Sequence, residues 1–227
     1  MELPEYWLSR PAFQIERSTK VAFDDLLATA RAHGEGSFIE YTLAAPKWQF
    51  LCYVAEHQRI ALHGSGNPSI AAFEPRQPED LNEFGSQKAV YAAADGIWAT
   101  FFAIVDRDRY PMLVNNACLR FAGANGQVTD PFYIFSISQA ALSQRPWRTG
   151  VVYLLPRDTF VQQPPIPFGQ SEVLVAQLAS LVPVTPLARL QVDPEDFPFL
   201  AQIRGHDDAR IQEYATAMQT GAPWPDS

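Results

Sequence analysis

The order of elements in the sequence predicts an α+β fold. Apolar residues at helical spacing are concentrated in the first 57 residues, and short runs of β-branched and aromatic residues dominate from residue 58 onward. The two kinds of segment do not alternate in the strand–helix–strand rhythm of a doubly wound parallel sheet. With 227 residues, 47% hydrophobic and 19% charged, the chain carries enough apolar material for one sizeable core. There is no internal repeat and no obvious interdomain linker. A single domain over 1–227 is expected, with a mainly helical part at 1–57, a core at 58–192 and a C-terminal extension at 193–227.

Residues 21–33 place apolar side chains at helical spacing, with Ser18 or Thr19 available as a cap and Gly34 as a stop. Residues 38–43 alternate like a strand, and 47–57 read as a second helix turning Phe50, Leu51 and Val54 inward. Arg59-Ile60-Ala61-Leu62 is a short β-type run ending in the turn-rich His63-Gly64-Ser65-Gly66-Asn67-Pro68. Residues 74–88 are polar with two prolines and predict a surface excursion, after which 88–93 return as a strand. Residues 96–105 are apolar almost throughout and fit a buried helix or a buried strand equally. Further β-type runs fall at 112–114, 132–137, 150–155, 172–175 and 187–192. The proline-rich stretch 164–169 predicts a loop, because proline cannot donate to a ladder. Residues 208–218 predict an amphipathic helix and 221–227 a frayed end.

The formal charge of −8 argues against a general binder of nucleic acid or anionic membrane, which would be basic. No stretch approaches the roughly 18 apolar residues of a membrane-spanning helix. The opening residues are acidic and lack an apolar run, which predicts no signal peptide and a cytoplasmic protein. Cys52 and Cys118 sit among apolar neighbours and read as buried free thiols. The histidines His33, His57, His63 and His206 form no His-x-x-x-His pair, so no metal is expected. Gly205-His206-Asp207-Asp208 is explained as a solvated helix start. Glycine-rich dinucleotide and P-loop motifs are absent. A hydrolase reading of His63-Gly64-Ser65-Gly66 would need a Gly-x-Ser-x-Gly elbow, and Gly169-Gln170-Ser171-Glu172-Val173 ends in valine. In 193–200, Phe197, Phe199 and Leu200 are expected to dock on the core; a partner-binding or substrate-covering role is the alternative.

Three separated motifs stand out. His63-Gly64-Ser65 lies at a strand end, Val90-Tyr91-Ala92-Ala93 in a small-residue strand, and Ser171-Glu172-Val173-Leu174-Val175 at a strand start. Taken singly, each has a structural explanation: a strand-end histidine, a core aromatic, an exposed strand-start acid. Taken in order, with 28 and 81 residues between the three key side chains, the chain resembles the ADP-ribosyltransferases of the His-Tyr-Glu branch. That branch includes the poly(ADP-ribose) polymerases and some bacterial toxins. The second motif departs from its pattern by carrying alanine where phenylalanine is usual. The resemblance covers about 58–192, and 186–200 has the look of an uncharacterised bacterial subgroup with the same layout.

The resemblance implies two small, mostly antiparallel sheets around an NAD cleft, with helices at the N-terminal side and the C-terminus. It implies transfer of ADP-ribose from NAD to an unknown protein or small-molecule acceptor, or NAD hydrolysis, with release of nicotinamide. Cleavage of the nicotinamide–ribose bond develops positive charge on the ribose, which a carboxylate stabilises; Glu172 takes that role. His63 holds a ribose hydroxyl, and the Gly64 backbone meets the nicotinamide amide where a side chain would obstruct it. Ser65 adds a hydrogen bond, Tyr91 stacks on the ring, and Trp98, Phe101 or Phe102 closes the other face. Arg76 reaches a pyrophosphate through its guanidinium fork, or else pairs with Glu74 or Glu79 on the surface. The alternative from another class is a non-catalytic nucleotide- or protein-binding module on the same fold.

Overall fold

The computed structural model describes residues 3–77 and 84–225. The chain is mixed α+β, with two mostly antiparallel sheets and few helices. The larger sheet comprises β2 (Ser37–Phe38), β3 (Ile60–Ser65), β4 (Val90–Ala93), β7 (Gly150–Pro156), β8 (Val161–Gln162), β11 (Gln177–Ser180) and β12 (Ala188–Val192). Its order is β2-β12-β7-β3-β4-β11-β8, and β2–β12 is its parallel pair. The smaller sheet comprises β1 (Leu8–Ser9), β5 (Val114–Ala122), β6 (Phe132–Ser138), β9 (Ile166–Phe168), β10 (Ser171–Val175) and β13 (Arg204–His206). It runs β1-β6-β5-β10-β9, with β13 parallel to the far end of β6.

The central strands β3 and β7 of the larger sheet carry apolar runs because both of their faces are covered. Ile60, Leu62, Val152 and Leu154 face the main core, and Ala61, Val151, Tyr153 and Leu155 face a second cluster built on Phe73, Phe160 and Val184. This is the two-residue period of a strand buried on both sides.

Helix α1 (Arg17–Ala32) buries Phe23, Leu27 and Ala30 along one stripe and ends before Gly34, whose φ is +93°. It begins before the cap that its spacing suggested: Glu16 holds the N-cap position without a side-chain bond, and Ser18 and Thr19 lie inside the helix. Helix α2 (Lys47–His57) lies where its spacing placed it. It buries Trp48 and everything from Phe50 to Ala55, because α1, α3 and β3 surround it.

Residues 96–105 resolve as helix α3 (Gly96–Ile104), capped by the Asp95 carboxylate, which accepts from the Trp98 N–H at 2.9 Å. Two glycines let this helix lie directly on the larger sheet. A Cβ on Gly64 would stand 2.0 Å from the Ala99 carbonyl oxygen, and one on Gly150 2.0 Å from that of Ala103. The close approach buries Ile97, Phe101 and Ile104 completely. Each such side chain contributes about 1.5–3 kcal/mol relative to exposure.

A buried polar network joins α3 to the smaller sheet. The Tyr133 hydroxyl donates to Asp95 Oδ2 at 2.8 Å, and Arg10 Nη2 lies 3.7 Å from the same oxygen. Arg10 and Arg120 share the Glu56 carboxylate. Burial pushes the Asp95 carboxyl above its ordinary pKa, with Arg10 opposing the shift.

The terminal parts enter the sheets rather than lying outside a core. The segment 1–57 supplies an edge strand to each sheet, β1 and β2, and the extension supplies β13. The predicted strand at 38–43 reduces to β2; the predicted run at 112–114 is the start of the nine-residue β5. Inside the expected loop 164–169, β9 pairs with β10 as an edge strand, the sheet position where proline is tolerated. Among the described residues of the 74–88 excursion, Arg76 bridges Ala89; residues 78–83 lie outside the description. A short helix α4 (Gln139–Leu142) follows β6.

Phe197 and Phe199 are buried in an aromatic cluster with Phe101, Tyr133 and Phe135. The C-terminal helix α5 (Ile211–Thr220) follows a short 3-10 turn at Asp208–Arg210. The tail beyond it is anchored: Trp224 packs on Tyr6 and Tyr214, and the Tyr6 hydroxyl donates to the Ala222 carbonyl at 2.9 Å. Of the predicted frayed end, only 226–227 lie outside the described residues. Cys52 and Cys118 are buried free thiols, and burial pushes both pKa values up, which leaves them inert. No described helix is long and apolar enough to cross a membrane. Among the described residues no cluster of three metal-ligating side chains occurs.

Candidate ligand cleft beside His63

Strands β3 and β4 share one rung, Leu62 opposite Ala93. Beyond it they part, and the His63 ring spans the gap, with Nδ1 bonded to the backbone carbonyl of Tyr91 at 2.7 Å. A carbonyl oxygen only accepts, so Nδ1 carries the proton and Nε2 is left as an acceptor. Phe73 packs on the imidazole with ring centroids 4.6 Å apart, and Tyr153 meets Phe73 edge-on. Burial pushes the His63 pKa down; the Tyr91 carbonyl opposes that, and the charges of Arg107 and Arg76 add to it. The ring is neutral at pH 7.

The parting of the strands opens a cavity of about 550 Å³ lined by His63, Gly64, Arg76, Tyr91, Trp98 and Phe102. Six of the residues singled out in the sequence thus converge. Tyr91 is held by its hydroxyl, which reaches the carbonyl oxygens of Phe84 at 2.9 Å and Gln87 at 2.8 Å. Trp98 is fixed at its edge by donating to Asn116, and its ring packs against Phe102 at 6.0 Å. Phe101 is fully buried in the core, so of these three aromatic residues Trp98 and Phe102 line the cavity. The Gly64 position faces both the cavity and α3, and the helix backbone is what its absent side chain would strike.

Two residues from the sequence reading stand elsewhere. Ser65 Oγ accepts from the Asn67 N–H at 3.1 Å, closing the turn after β3, and does not line the cavity. Glu172 is exposed on the smaller sheet, paired between Ala122 and Pro167, and does not line the cavity either. The cause is a crossover. Ala176 alone separates β10 from β11, and there the chain passes from one sheet to the other. The Ala176 N–H donates to Cys118, and its carbonyl accepts from the Ala94 N–H. The side chain that reaches the cleft on the strand beside Tyr91 is therefore Gln177, opposite Ala93.

The sequence reading missed Gln177 and Arg107. Gln177-Leu178-Ala179-Ser180 has no β-branched residue to mark it as a strand. Arg107 lies in the polar turn directly after α3, where a basic residue facing the mouth of an aromatic cleft was a usable signal. Arg76 and Arg107 make no salt bridge among the described residues, and no carboxylate belongs to the described lining. The described lining of the cleft is thus cationic and aromatic in a chain of formal charge −8. Aromatic side chains of this kind can stack on a flat ring, and guanidinium groups can pair with an anion.

The fold and cleft define a mixed α+β chain with two mostly antiparallel sheets and a cavity lined by aromatic side chains and two arginines. No family model, curated protein or solved structure matches the chain.

Proposed function

We propose that the cleft binds NAD or a closely related nucleotide, and that the chain acts as a nucleotide-binding module rather than as an efficient transferase. The observation that carries this reading is the convergence of Tyr91, Trp98 and Phe102 with Arg76 and Arg107 around a neutral His63, with an amide, Gln177, on the neighbouring strand. A flat ring stacks between the aromatic side chains, a stack that adds about 0.5–1.5 kcal/mol beyond area burial. His63 Nε2 accepts from a ribose hydroxyl, and the two guanidinium groups meet the pyrophosphate.

ADP-ribosyl transfer to a protein or small-molecule acceptor, or NAD hydrolysis, is the second reading. The neighbouring His63 and Tyr91 strands favour it. It needs negative charge beside the ribose as the nicotinamide bond breaks, and a neutral amide supplies only a dipole there. Glu172 is not among the residues that line the cleft, which weighs against that reading.

The deciding assay is nicotinamide release from NAD by the wild-type chain, Glu172→Gln and Gln177→Glu. The binding reading expects no release above background from the wild type and from Glu172→Gln, and measurable release from Gln177→Glu. Turnover by the wild type that Glu172→Gln abolishes would overturn it.

A further inference from the structure

A second cavity of about 550 Å³ lies one step further along the chain from β4, with Ala94 and Asp95 in its wall and no lining residue in common with the His63 cleft. Three arginines, Arg59, Arg120 and Arg157, line it, together with His57, Gln162 and Glu56. The protein does not meet all of this positive charge. Arg59 pairs with Asp158 at 2.9 Å. Arg120 has only a share of Glu56, which Arg10 also uses. Asp95 is already engaged by Tyr133 and the Trp98 N–H. Arg157 has no carboxylate partner among the described residues; its Nη2 donates to the neutral Gln162 Oε1 at 3.2 Å. It is half-buried, and burial followed by the Arg59 charge pushes its pKa down. A guanidinium withdrawn from water beside a second one is ordinarily paired.

A separate observation comes from the backbone. Arg59 follows α2 with φ +52°, in the left-handed region that glycine occupies without strain. An arginine stands there, and its side chain lines the cavity.

We infer that this cavity binds the phosphoryl group of a small phosphorylated molecule, with Arg157 as the principal contact and Arg59 and Arg120 flanking it. Three guanidinium groups lining one cavity, that of Arg59 at its exposed rim, suit the several charged oxygens of a phosphate better than the two of a carboxylate. The cavity is in the size range of small-molecule sites, roughly 300–1,000 Å³, so the phosphate is carried on a larger body.

The experiment is calorimetric titration of the full chain with ribose 5-phosphate, inorganic phosphate and acetate at matched ionic strength, on the wild type, Arg157→Gln and Arg59→Gly. The proposal expects saturable binding of ribose 5-phosphate, weaker binding of inorganic phosphate, and none of acetate. Arg157→Gln and Arg59→Gly each weaken ribose 5-phosphate by about tenfold or more. Arg59→Gly relieves the left-handed strain and keeps a melting temperature at or near that of the wild type, so it decides the matter even if Arg157→Gln fails to fold. No saturable heat at about 10 mM ligand, acetate binding as tightly as phosphate, or unchanged affinity in a folded variant overturns the inference. The NAD cleft plays no part in this test, so the two readings fail separately.

Discussion

His63 donates from Nδ1 to the carbonyl oxygen of Tyr91 at 2.7 Å, immediately past the rung at which Leu62 faces Ala93. The side chain stands in for the ladder where the strands separate, and in doing so fixes its own tautomer. Because burial holds the imidazole below its ordinary pKa of 6.5, Nε2 stays an acceptor through the neutral range. NAD affinity is expected to be flat from pH 8 down to about 6.5 and to fall only below that, as the ring gains its second proton. His63→Ala weakens binding by about tenfold, the size of one net hydrogen bond, and removes the acid limb. Calorimetric titrations across that pH range check both expectations.

Gly64 is a packing glycine. Gly64→Ala forces a Cβ to within 2.0 Å of the Ala99 carbonyl oxygen, a backbone atom that cannot swing aside. The expected loss is at least about 1–3 kcal/mol, which for a chain of this length lowers Tm by roughly 2–4 °C per kcal/mol. Thermal unfolding checks it, and an unchanged Tm would mean that β3 and α3 do not lie as close as described.

What the sequence revealed follows from which signals are local. Helix α2 was legible to its ends because Phe50, Leu51 and Val54 repeat at helical spacing. His63 and Tyr91 were singled out by their strand-end and small-residue contexts, and the structure brings both to the lining of one cavity with Trp98 and Phe102. The crossover at Ala176 was not, because nothing in Leu174-Val175-Ala176-Gln177 signals a change of sheet; both sides are short extended runs. That one event leaves Glu172 on the smaller sheet and brings Gln177 into the cleft lining. The helical nature of 96–104 was likewise hidden, since a segment buried on all sides carries no periodicity.

Asp95 connects three elements through one carboxylate: it caps α3, accepts from Tyr133 on β6 and lies beside Arg10. Tyr133→Phe removes one donor from a buried acceptor and costs about 1–3 kcal/mol. Asp95→Ala loses the cap as well and leaves Arg10 with only its share of Glu56, a larger loss of about 3–5 kcal/mol. Urea unfolding of the two single variants and the double variant measures the coupling, which is expected to be non-additive.

Acid sensitivity is expected from a second histidine. His206 is fully buried with Nδ1 2.6 Å from Ser136 Oγ, and burial pushes its pKa down against the pull of Asp208 and Asp207. The unfolded chain takes up a proton near pH 6.5 while the folded one does not, so stability is complete above that pH and declines below it. The slope approaches about 1.4 kcal/mol per pH unit for each such histidine until the folded pKa is reached. Denaturant unfolding from pH 7.5 to 5 checks this, and His206→Gln is expected to flatten the decline.

The most direct test of the cleft is titration with NAD of the wild type, Tyr91→Ala and Glu172→Gln, followed by heat and by the fluorescence of Trp98 in the cleft wall. Saturable binding that Tyr91→Ala abolishes and Glu172→Gln leaves intact is the predicted result. No heat and no fluorescence change at millimolar NAD, or binding that depends on Glu172 and ignores Tyr91, would contradict it.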